Sequence, residues 1–300
     1  MAQPESVINL LKIALAEDLG EDGDITTSAI FGADDTGEAL IRCKQTGVLS
    51  GITLAAPLFK LVDTYLASHI SSASASLPTT TVETYCVDGE IVEPGKAVCR
   101  VKGSVRSILA GERTILNLIQ RLSGIATLTS AMVRELSSGG GNTRLLDTRK
   151  TSPGMRTLEK AAVRHGGGVN HRVGLYDMIL IKDTHVRRAG GITAALTKAL
   201  AWRGGNATPR IEVEVQSIEE FVQALQLKPD RIMLDNMSPK EIEICVDERD
   251  ASGLNVELEA SGNITLGVLS AIAATNVDYI SCGAITHSAP ALDFHLAMIS

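Results

Sequence analysis

From Ser6 to Leu19, the apolar residues Val7, Leu10, Leu11, Ala14, Leu15 and Leu19 recur three or four apart. That spacing predicts an amphipathic helix, and the glycine- and aspartate-rich turn from Gly20 to Asp24 ends it. Further along, Glu38 to Val48 and Thr80 to Val101 read as strands, with turns at Asp88-Gly89 and Pro94-Gly95. A helix from Thr53 to Tyr65 lies between them, and the Ser/Ala/Thr stretch from Ser68 to Thr81 reads as a surface loop. This first portion is an α+β unit. A helix-rich passage from Ser107 to Leu136 follows, and the run from Ser137 to Asn142, with three glycines, marks a break.

Beyond the break one pattern repeats: a short apolar strand, a polar or glycine-rich turn, then an amphipathic helix. The strands are expected at Arg144–Asp147, Met178–Lys182, Ile211–Val215, Arg231–Asp235, Asn255–Glu259 and Tyr279–Cys282. Successive βα units imply a parallel sheet, because parallel strands need a crossover of a dozen or more residues. Polar or charged groups close nearly every strand: Asp147 to Lys150, Lys182-Asp183, Glu214, Asp235-Asn236, Ser261 to Asn263, and Gly283. An open doubly wound sheet concentrates such groups at one switch point, whereas a β/α barrel gathers all strand ends on one face. The even distribution favours the barrel.

Charge sharpens that picture. Residues 144–188 hold ten Lys/Arg against four acids, a net +6 in a chain whose formal charge is −7, so the remainder carries −13. A concentrated basic segment in an acidic protein suits a small, highly charged ligand better than a nucleic acid, which rewards an extended positive face with aromatic platforms. As isolated residues these cations could equally be solvated helix-face charges in weak surface pairs. Arg149, Lys150, Arg172 and Lys182 are different, since they sit at strand ends or in glycine-rich turns.

Arg offers a planar fork and Lys a mobile point charge, so adjacent Arg149 and Lys150, with Thr148 beside them, can bind two carboxylates or a carboxylate and a phosphate. His171 and Arg172 follow Gly166-Gly-Gly168, where the backbone can approach a ligand closely; His171 alone reads as structural, but beside Arg172 it becomes an anion contact. Lys182 ends an apolar strand and needs a partner, a ligand carboxylate or Asp183. Glu214 and Asp235 supply opposite charge on successive strand ends, suited to sugar hydroxyls, a Mg²⁺ ion or a developing cation, or else to pairing with nearby Lys/Arg. Glu212 shares a face with Glu214, and Glu214 is preferred because it lies nearer the strand end. The turns Ser261-Gly262-Asn263 and Gly283-Ala284 offer backbone N–H groups of the kind that grip phosphate after the last barrel strands.

Other classes are disfavoured. No run approaches the roughly 20 apolar residues of a membrane span, and the amino terminus carries neither a basic nor an apolar leader, so a cytoplasmic protein is expected. Five dispersed cysteines without metal-ligand spacing suggest buried thiols in a reducing compartment; Cys282, near possible chemistry, is read as a buried hydrophobe rather than a nucleophile. With 44% hydrophobic and only 3% aromatic residues, the core is aliphatic and ample.

Ordered along the chain, several motifs resemble the quinolinate phosphoribosyltransferase family, the carboxylating nicotinate-nucleotide diphosphorylases. They are Ala16–Gly20 (AEDLG) with Gly23-Asp24, Glu112–Asn117 (ERTILN) with Arg121–Thr127 (RLSGIAT), Asp147–Gly154 (DTRKTSPG) and Gly166–Arg172 (GGGVNHR). Ile181–Asp183 (IKD), Glu212–Val215 (EVEV), Leu234–Met237 (LDNM), Glu259–Gly262 (EASG) and Gly283–Pro290 (GAITHSAP) complete the set. Each is weak alone; their number and order are specific.

The resemblance implies transfer of the phosphoribosyl group of 5-phosphoribosyl 1-diphosphate to quinolinate with decarboxylation, giving nicotinate mononucleotide, diphosphate and CO2 in NAD biosynthesis. It also implies Mg²⁺ with the diphosphate and no organic cofactor. The implied fold is an amino-terminal α/β sandwich domain (1–115), an incomplete, seven-stranded β/α barrel (116–287) and a carboxyl-terminal segment (288–300) returning to the first domain. The strand missing from the six read above is expected near Ser123 to Leu128 or within a segment read as helix. Thr148, Arg149, Lys150, His171, Arg172 and Lys182 would line the quinolinate pocket, with Arg113 reaching in from a neighbouring subunit of a homodimer or larger homo-oligomer. Lys150, Glu214 and Asp235 would be catalytic; Glu214 and Asp235 would hold the ribose and its metal. Ser261, Gly262, Asn263, Cys282, Gly283, Ala284 and His287 would cradle the phosphoribosyl diphosphate. Two departures stand out: Thr184 where the family often has Asn, which puts a supporting hydrogen bond in question, and Asn263 where Gly is frequent, which should still present its backbone N–H. A phosphoribosyltransferase for another pyridine carboxylate, or a non-catalytic dicarboxylate- or phosphate-binding homologue, remains open on these residues.

Overall fold

A computed structural model of the chain describes residues 4–69, 77–138 and 141–299. The expected Ser68–Thr81 loop and Ser137–Asn142 break lie partly outside them. In chain order the elements are α1 (Glu5–Leu19), α2 (Ile25–Ile30), β1 (Thr36–Cys43), β2 (Gly47–Val48), α3 (Ala55–His69), β3 (Thr81–Thr84), β4 (Ile91–Val92), β5 (Ala97–Ser104) and α4 (Val105–Ser138). Then come β6 (Arg144–Leu146), α5 (Arg156–His165), β7 (Met178–Ile181), α6 (Asp183–Ala189), α7 (Ile192–Arg203), β8 (Arg210–Val215) and α8 (Ile218–Gln226). The last are β9 (Arg231–Asp235), α9 (Pro239–Ser252), β10 (Glu257–Ser261), α10 (Leu266–Ala273), β11 (Tyr279–Ser281), α11 (Ala284–His287) and β12 (Phe294–Met298).

The chain divides into two units. One comprises Met1–Leu128, Ser152–Gly166 and Ala289–Ser300. Its sheet has the order β12-β1-β5-β3, antiparallel throughout, and β1 alternates buried and partly exposed positions so that Ala39, Ile41 and Cys43 face the core. Helix α1 buries Val7, Leu11, Leu15 and Leu19, as its periodicity predicts, and Asp24 caps α2 by accepting the Thr27 N–H at 2.9 Å. Where a boundary at residue 115 was expected, this unit continues along α4 to Leu128 and takes in α5. The physical reason is a fully buried carboxylate: Glu159 of α5 accepts Nε and Nη2 of Arg121 of α4 at 3.2 and 3.1 Å and the Ser152 N–H at 3.2 Å.

The second unit, Thr129–Thr151 and Gly167–Ser288, holds a parallel sheet in the order β6-β11-β10-β9-β8-β7. First strand pairs with last, so that among the described residues the edges of the sheet are β6 and β7. The seventh strand of the expected barrel is reduced to one bridging residue, Val169, whose N–H donates to Leu145 O at 2.8 Å and whose carbonyl accepts from Asp147 N at 3.2 Å. The expected site at Ser123–Leu128 is instead helical, inside α4. The strand expected at Asn255–Glu259 runs from Glu257 to Ser261, because its register with β9 pairs Glu257 with Arg231 and Ser261 with Asp235. Helix α9 begins as its sequence signals, with Pro239 at the first turn and reciprocal capping between Ser238 and Glu241. Among the described residues no helix is long and apolar enough to cross a membrane.

Packing in the first unit is tight where α4 meets the carboxyl-terminal segment: a Cβ at Gly124 would overlap the Pro290 carbonyl and sit 3.1 Å from Ala291 Cα. Because backbone cannot retract as a side chain can, Gly124→Ala is expected to lower stability by about 1–3 kcal/mol, read as a lower urea midpoint with an unchanged slope.

Candidate active site

A cleft of about 870 Å³ opens at the carboxyl ends of the parallel strands, within the second unit. All but one of the site residues implied by the family resemblance line it: Thr148, Arg149 and Lys150 after β6; His171 and Arg172; Lys182 after β7; Glu214 on β8; Asp235 on β9; Ser261 to Asn263 after β10; Cys282 to Ala284 and His287 after β11. The exception, Arg113, lies exposed on α4 in the first unit.

Local bonds fix each turn. The Thr148 hydroxyl accepts the Lys150 N–H at 3.0 Å, and the Thr286 hydroxyl donates to the Lys150 carbonyl at 2.8 Å. Gly283 packs against this lysine; a Cβ there would lie 2.8 Å from Lys150 Cδ. Asp147, fully buried, accepts Asn170 Nδ2 at 2.6 Å and the His171 N–H at 2.8 Å, tying the glycine-rich segment to the end of β6. Arg172 donates Nη1 to the Met178 carbonyl at 3.2 Å. Burial and the like charge of Arg149 both lower the Arg172 pKa. An anion beside Arg172 offsets that lowering.

On the acidic side, Lys182 Nζ stands 3.5 Å from Glu214 Oε2. Its partner is therefore Glu214, whereas Asp183, considered from sequence, pairs with Arg187 one turn along α6. Burial raises the Glu214 pKa, Lys182 opposes the shift and the Asp235 charge adds to it. Asp235 accepts Asn236 Nδ2 at 2.9 Å, and Asn236 Oδ1 accepts Asn263 Nδ2 at 3.1 Å. Asn236 and Asn263 are both left-handed, at φ 57° and 49°. Asn is among the few non-glycine residues that tolerate this region, which accounts for its standing where glycine is frequent. Gly262, at φ 99°, leaves room for Asn236: a Cβ would overlap the amide oxygen.

The sequence did not indicate how His171 is used. Its Nδ1 accepts the Arg172 N–H at 2.7 Å, and Nε2 lies 3.0 Å from Glu212 Oε2 and 3.4 Å from Glu259 Oε2. Both nitrogens thus engage the protein, so the anion contact expected from a ring nitrogen is replaced by a ring edge lining the cleft. Burial works to lower the His171 pKa, but hydrogen bonds and charge from the two glutamates outweigh it and push it up to about 9. Burial, then the charge of Glu259, pushes Glu212 up to about 7. Glu259 was passed over within its motif; the available signal was a carboxylate at the centre of β10, between Leu258 and Ala260. His171, Glu212 and Glu259 also bring three ligand atoms within 4.8 Å of one another, though Arg231 already supplies positive charge there, 3.0 Å from Glu259.

All five cysteines are free and buried. Cys282 Sγ lies 3.5 Å from the Ile264 carbonyl and burial raises its pKa, which disfavours the thiolate a nucleophile needs.

Two family models match, described as the N-terminal domain of quinolinate phosphoribosyl transferase over residues 24–123 and its C-terminal domain over residues 125–297. Quinolinate phosphoribosyltransferase (decarboxylating) 1b of Nicotiana tabacum is 39% identical, with 96% of this chain and 81% of that protein covered. The probable nicotinate-nucleotide pyrophosphorylase (carboxylating) of Bacillus subtilis is 40% identical, covering 96% of this chain and 91% of the relative. The solved nicotinate-nucleotide pyrophosphorylase of Francisella tularensis superposes with a TM-score of 0.86 at 40% identity, over 100% of this chain and 98% of that one.

Asp147→Ala removes the acceptor for two inward-facing donors, one of them a backbone N–H, and should cost about 1–3 kcal/mol. Chemical unfolding measures this, and an unchanged midpoint would show that water replaces the carboxylate.

Proposed function

The chain belongs to the quinolinate phosphoribosyltransferase family, the decarboxylating enzymes of NAD biosynthesis, and from that premise we propose how its strand-end cleft divides the work between two substrates. Quinolinate takes the cationic side, where Arg149, Lys150, Arg172 and Lys182 face its two carboxylates and Thr148 and the His171 ring edge complete the wall. The phosphoribosyl diphosphate takes the opposite side, with its 5-phosphate on the turns Ser261–Asn263 and Cys282–Ala284, near His287, and its ribose beside Glu214 and Asp235. The observation that carries this reading is the gathering of Arg149, Lys150, Arg172 and Lys182 on one cleft, where burial and the like charge of Arg149 disfavour the charge on Arg172.

The donor set at Glu214 and Asp235 fits Mg²⁺: two carboxylates on adjacent strand ends, with the Glu214 proton affinity raised by burial and by its neighbour's charge. Mg²⁺ commonly takes one or two carboxylates together with substrate phosphates and, when bound, neutralises charge on the departing diphosphate. The protein's own contribution is positional and electrostatic. As the C1–diphosphate bond lengthens, positive charge grows on the ribose and the carboxylates of Glu214 and Asp235 stabilise it. The pyridine nitrogen, held in line by cations on its carboxylates, donates its electron pair to C1. Quaternised nitrogen then stabilises the electron pair left on C2 as CO2 departs, and that carbon takes up a proton. Lys150 packs beside Gly283 of one phosphate turn, and so serves both substrates.

Arg113 completes the acceptor pocket from a second copy of the chain, in a homodimer or larger homo-oligomer. Its exposure on α4 leaves it available for such a contact, which supports that assignment. Free buried thiols suit a reducing compartment, which supports a cytoplasmic location.

Lys150→Ala should reduce kcat/KM for quinolinate about 10²-fold, the scale of losing one charge-stabilising group, with an unaltered circular dichroism spectrum; near-normal turnover would refute the assignment. CO2 release from quinolinate, set against nucleotide formation from nicotinate, checks acceptor choice in the same preparation. Mixing separately inactive Arg113→Ala and Lys150→Ala proteins should restore activity through hybrid sites, and no recovery after subunit exchange would place Arg113 outside the neighbouring site.

A further inference from the structure

Beneath the cleft, the interior of the parallel sheet carries charge where branched apolar side chains ordinarily fill a barrel. Glu212 and Glu259 are fully buried and Arg231 nearly so. The two buried carboxylates share two cationic groups: His171 Nε2 lies 3.0 Å from Glu212 and 3.4 Å from Glu259, and Glu259 Oε2 accepts Arg231 Nη1 at 3.0 Å; Arg231 also reaches the partly exposed Glu257 at 2.9 Å, which Arg210 holds at 2.5 Å. The Arg231 guanidinium also lies 4.1 Å from the centroid of the Tyr279 ring, whose hydroxyl is bonded by Arg144.

Glu259 and His171 both line the cleft, so this charged layer is its floor. A floor carrying excess negative charge repels an anionic substrate, and the repulsion scales with the substrate's charge: it acts about twice as strongly on a dicarboxylate as on a monocarboxylate at the same distance. Cations at the rim favour the dicarboxylate for the same reason, but they cannot remove a repulsion that lies beneath them. A guanidinium beneath Glu259 can, because it stays charged at any working pH and its partner is withdrawn from water.

We propose that Arg231 is a specificity-determining positioning residue, cancelling the buried charge of Glu259 beneath the cleft so that a pyridine with two carboxylates is preferred over one with a single carboxylate. This rests on the placement of quinolinate proposed above. Arg231 touches no substrate; it starts β9 at the strand end opposite the cleft and acts through Glu259.

The test compares affinities of the full-length protein for pyridine-2,3-dicarboxylate and pyridine-3-carboxylate, by calorimetry or by competition against the dicarboxylate. Arg231→Met, which keeps a flexible apolar stem and removes the charge, should lower the dicarboxylate-to-monocarboxylate affinity ratio at least tenfold. Arg231→Lys should hold the ratio within about threefold of the unaltered protein, since conserved charge and not the fork is what the ratio reads. Adding Glu259→Gln to Arg231→Met should restore the ratio, whereas a merely structural Arg231 would leave it unmoved or make the losses additive. Equal weakening of both ligands in Arg231→Met overturns the proposal. Should that variant fail to fold, Glu259→Gln alone decides: the ratio must rise, and an unchanged or lower one is equally fatal. If Lys150→Ala leaves dicarboxylate affinity untouched, the placement in this cleft falls, and the inference with it; a null ratio change in Arg231→Met, with Lys150→Ala weakened, removes the inference alone.

Discussion

The pairing of β6 with β11 is the contact on which the catalytic half of the molecule depends. Residues about 135 positions apart in the chain become neighbours there, with Arg144 beside Tyr279 and Ser281 beside Leu146. The Cys282 N–H continues the ladder onto the Leu146 carbonyl at 3.0 Å. One step further out, the Lys150 carbonyl meets the Thr286 hydroxyl and the Lys150 side chain meets Gly283. The same register therefore sets a cationic turn beside a glycine turn. Parallel direction does the rest, since every strand delivers its carboxyl end to one face.

Folding a sheet around charge has a thermodynamic cost that the interior arrangement limits. Glu212 and Glu259 are withdrawn from water on β8 and β10, with Arg231 contributed by the strand between them. Had those positions been apolar, the barrel would have gained hydrophobic stabilisation and lost a polar support for His171. Buried ion pairs give modest net stability but are costly to break singly. They are therefore better understood as devices for holding one arrangement, here the orientation of a ring whose backbone N–H is already fixed by Asp147.

Much of this was legible in the chain because strand ends and turns carry local signals. The alternation of β8, the apolar run of β9, the α1 stripe and the clustering of cations near β6 and β7 follow from residue type and spacing alone. What was not legible depended on partners distant in sequence. The bounds of β10 come from its register with β9, and the reduction of a seventh strand to Val169 comes from its bonds to Leu145 and Asp147. The partner of Lys182 is Glu214 rather than the adjacent Asp183, since the helix dictates that Asp183 turns toward Arg187. Period-two alternation put Glu212 and Glu214 on one face; only three dimensions show that one step of 6–7 Å along a strand separates a floor residue from a rim residue.

That vertical separation explains how one segment serves unlike demands. The rim cations sit on exposed or half-buried turns: Lys150 and Lys182 are exposed, and Lys182 meets Glu214 only at 3.5 Å. A tight pair there would compete with substrate for the lysine. The floor exchanges nothing, and its pairs are shorter and shielded, with Arg231 at 3.0 Å from Glu259. Loose pairing where ligands arrive and close pairing where they do not is the arrangement expected if the cleft's affinity comes from cations available to the substrate while its selectivity depends on a neutral layer beneath. The left-handed turns at Asn236 and Asn263 fit the same division. They place polar backbone at the rim through local conformation alone, leaving the strands below free to be specified by burial and charge balance.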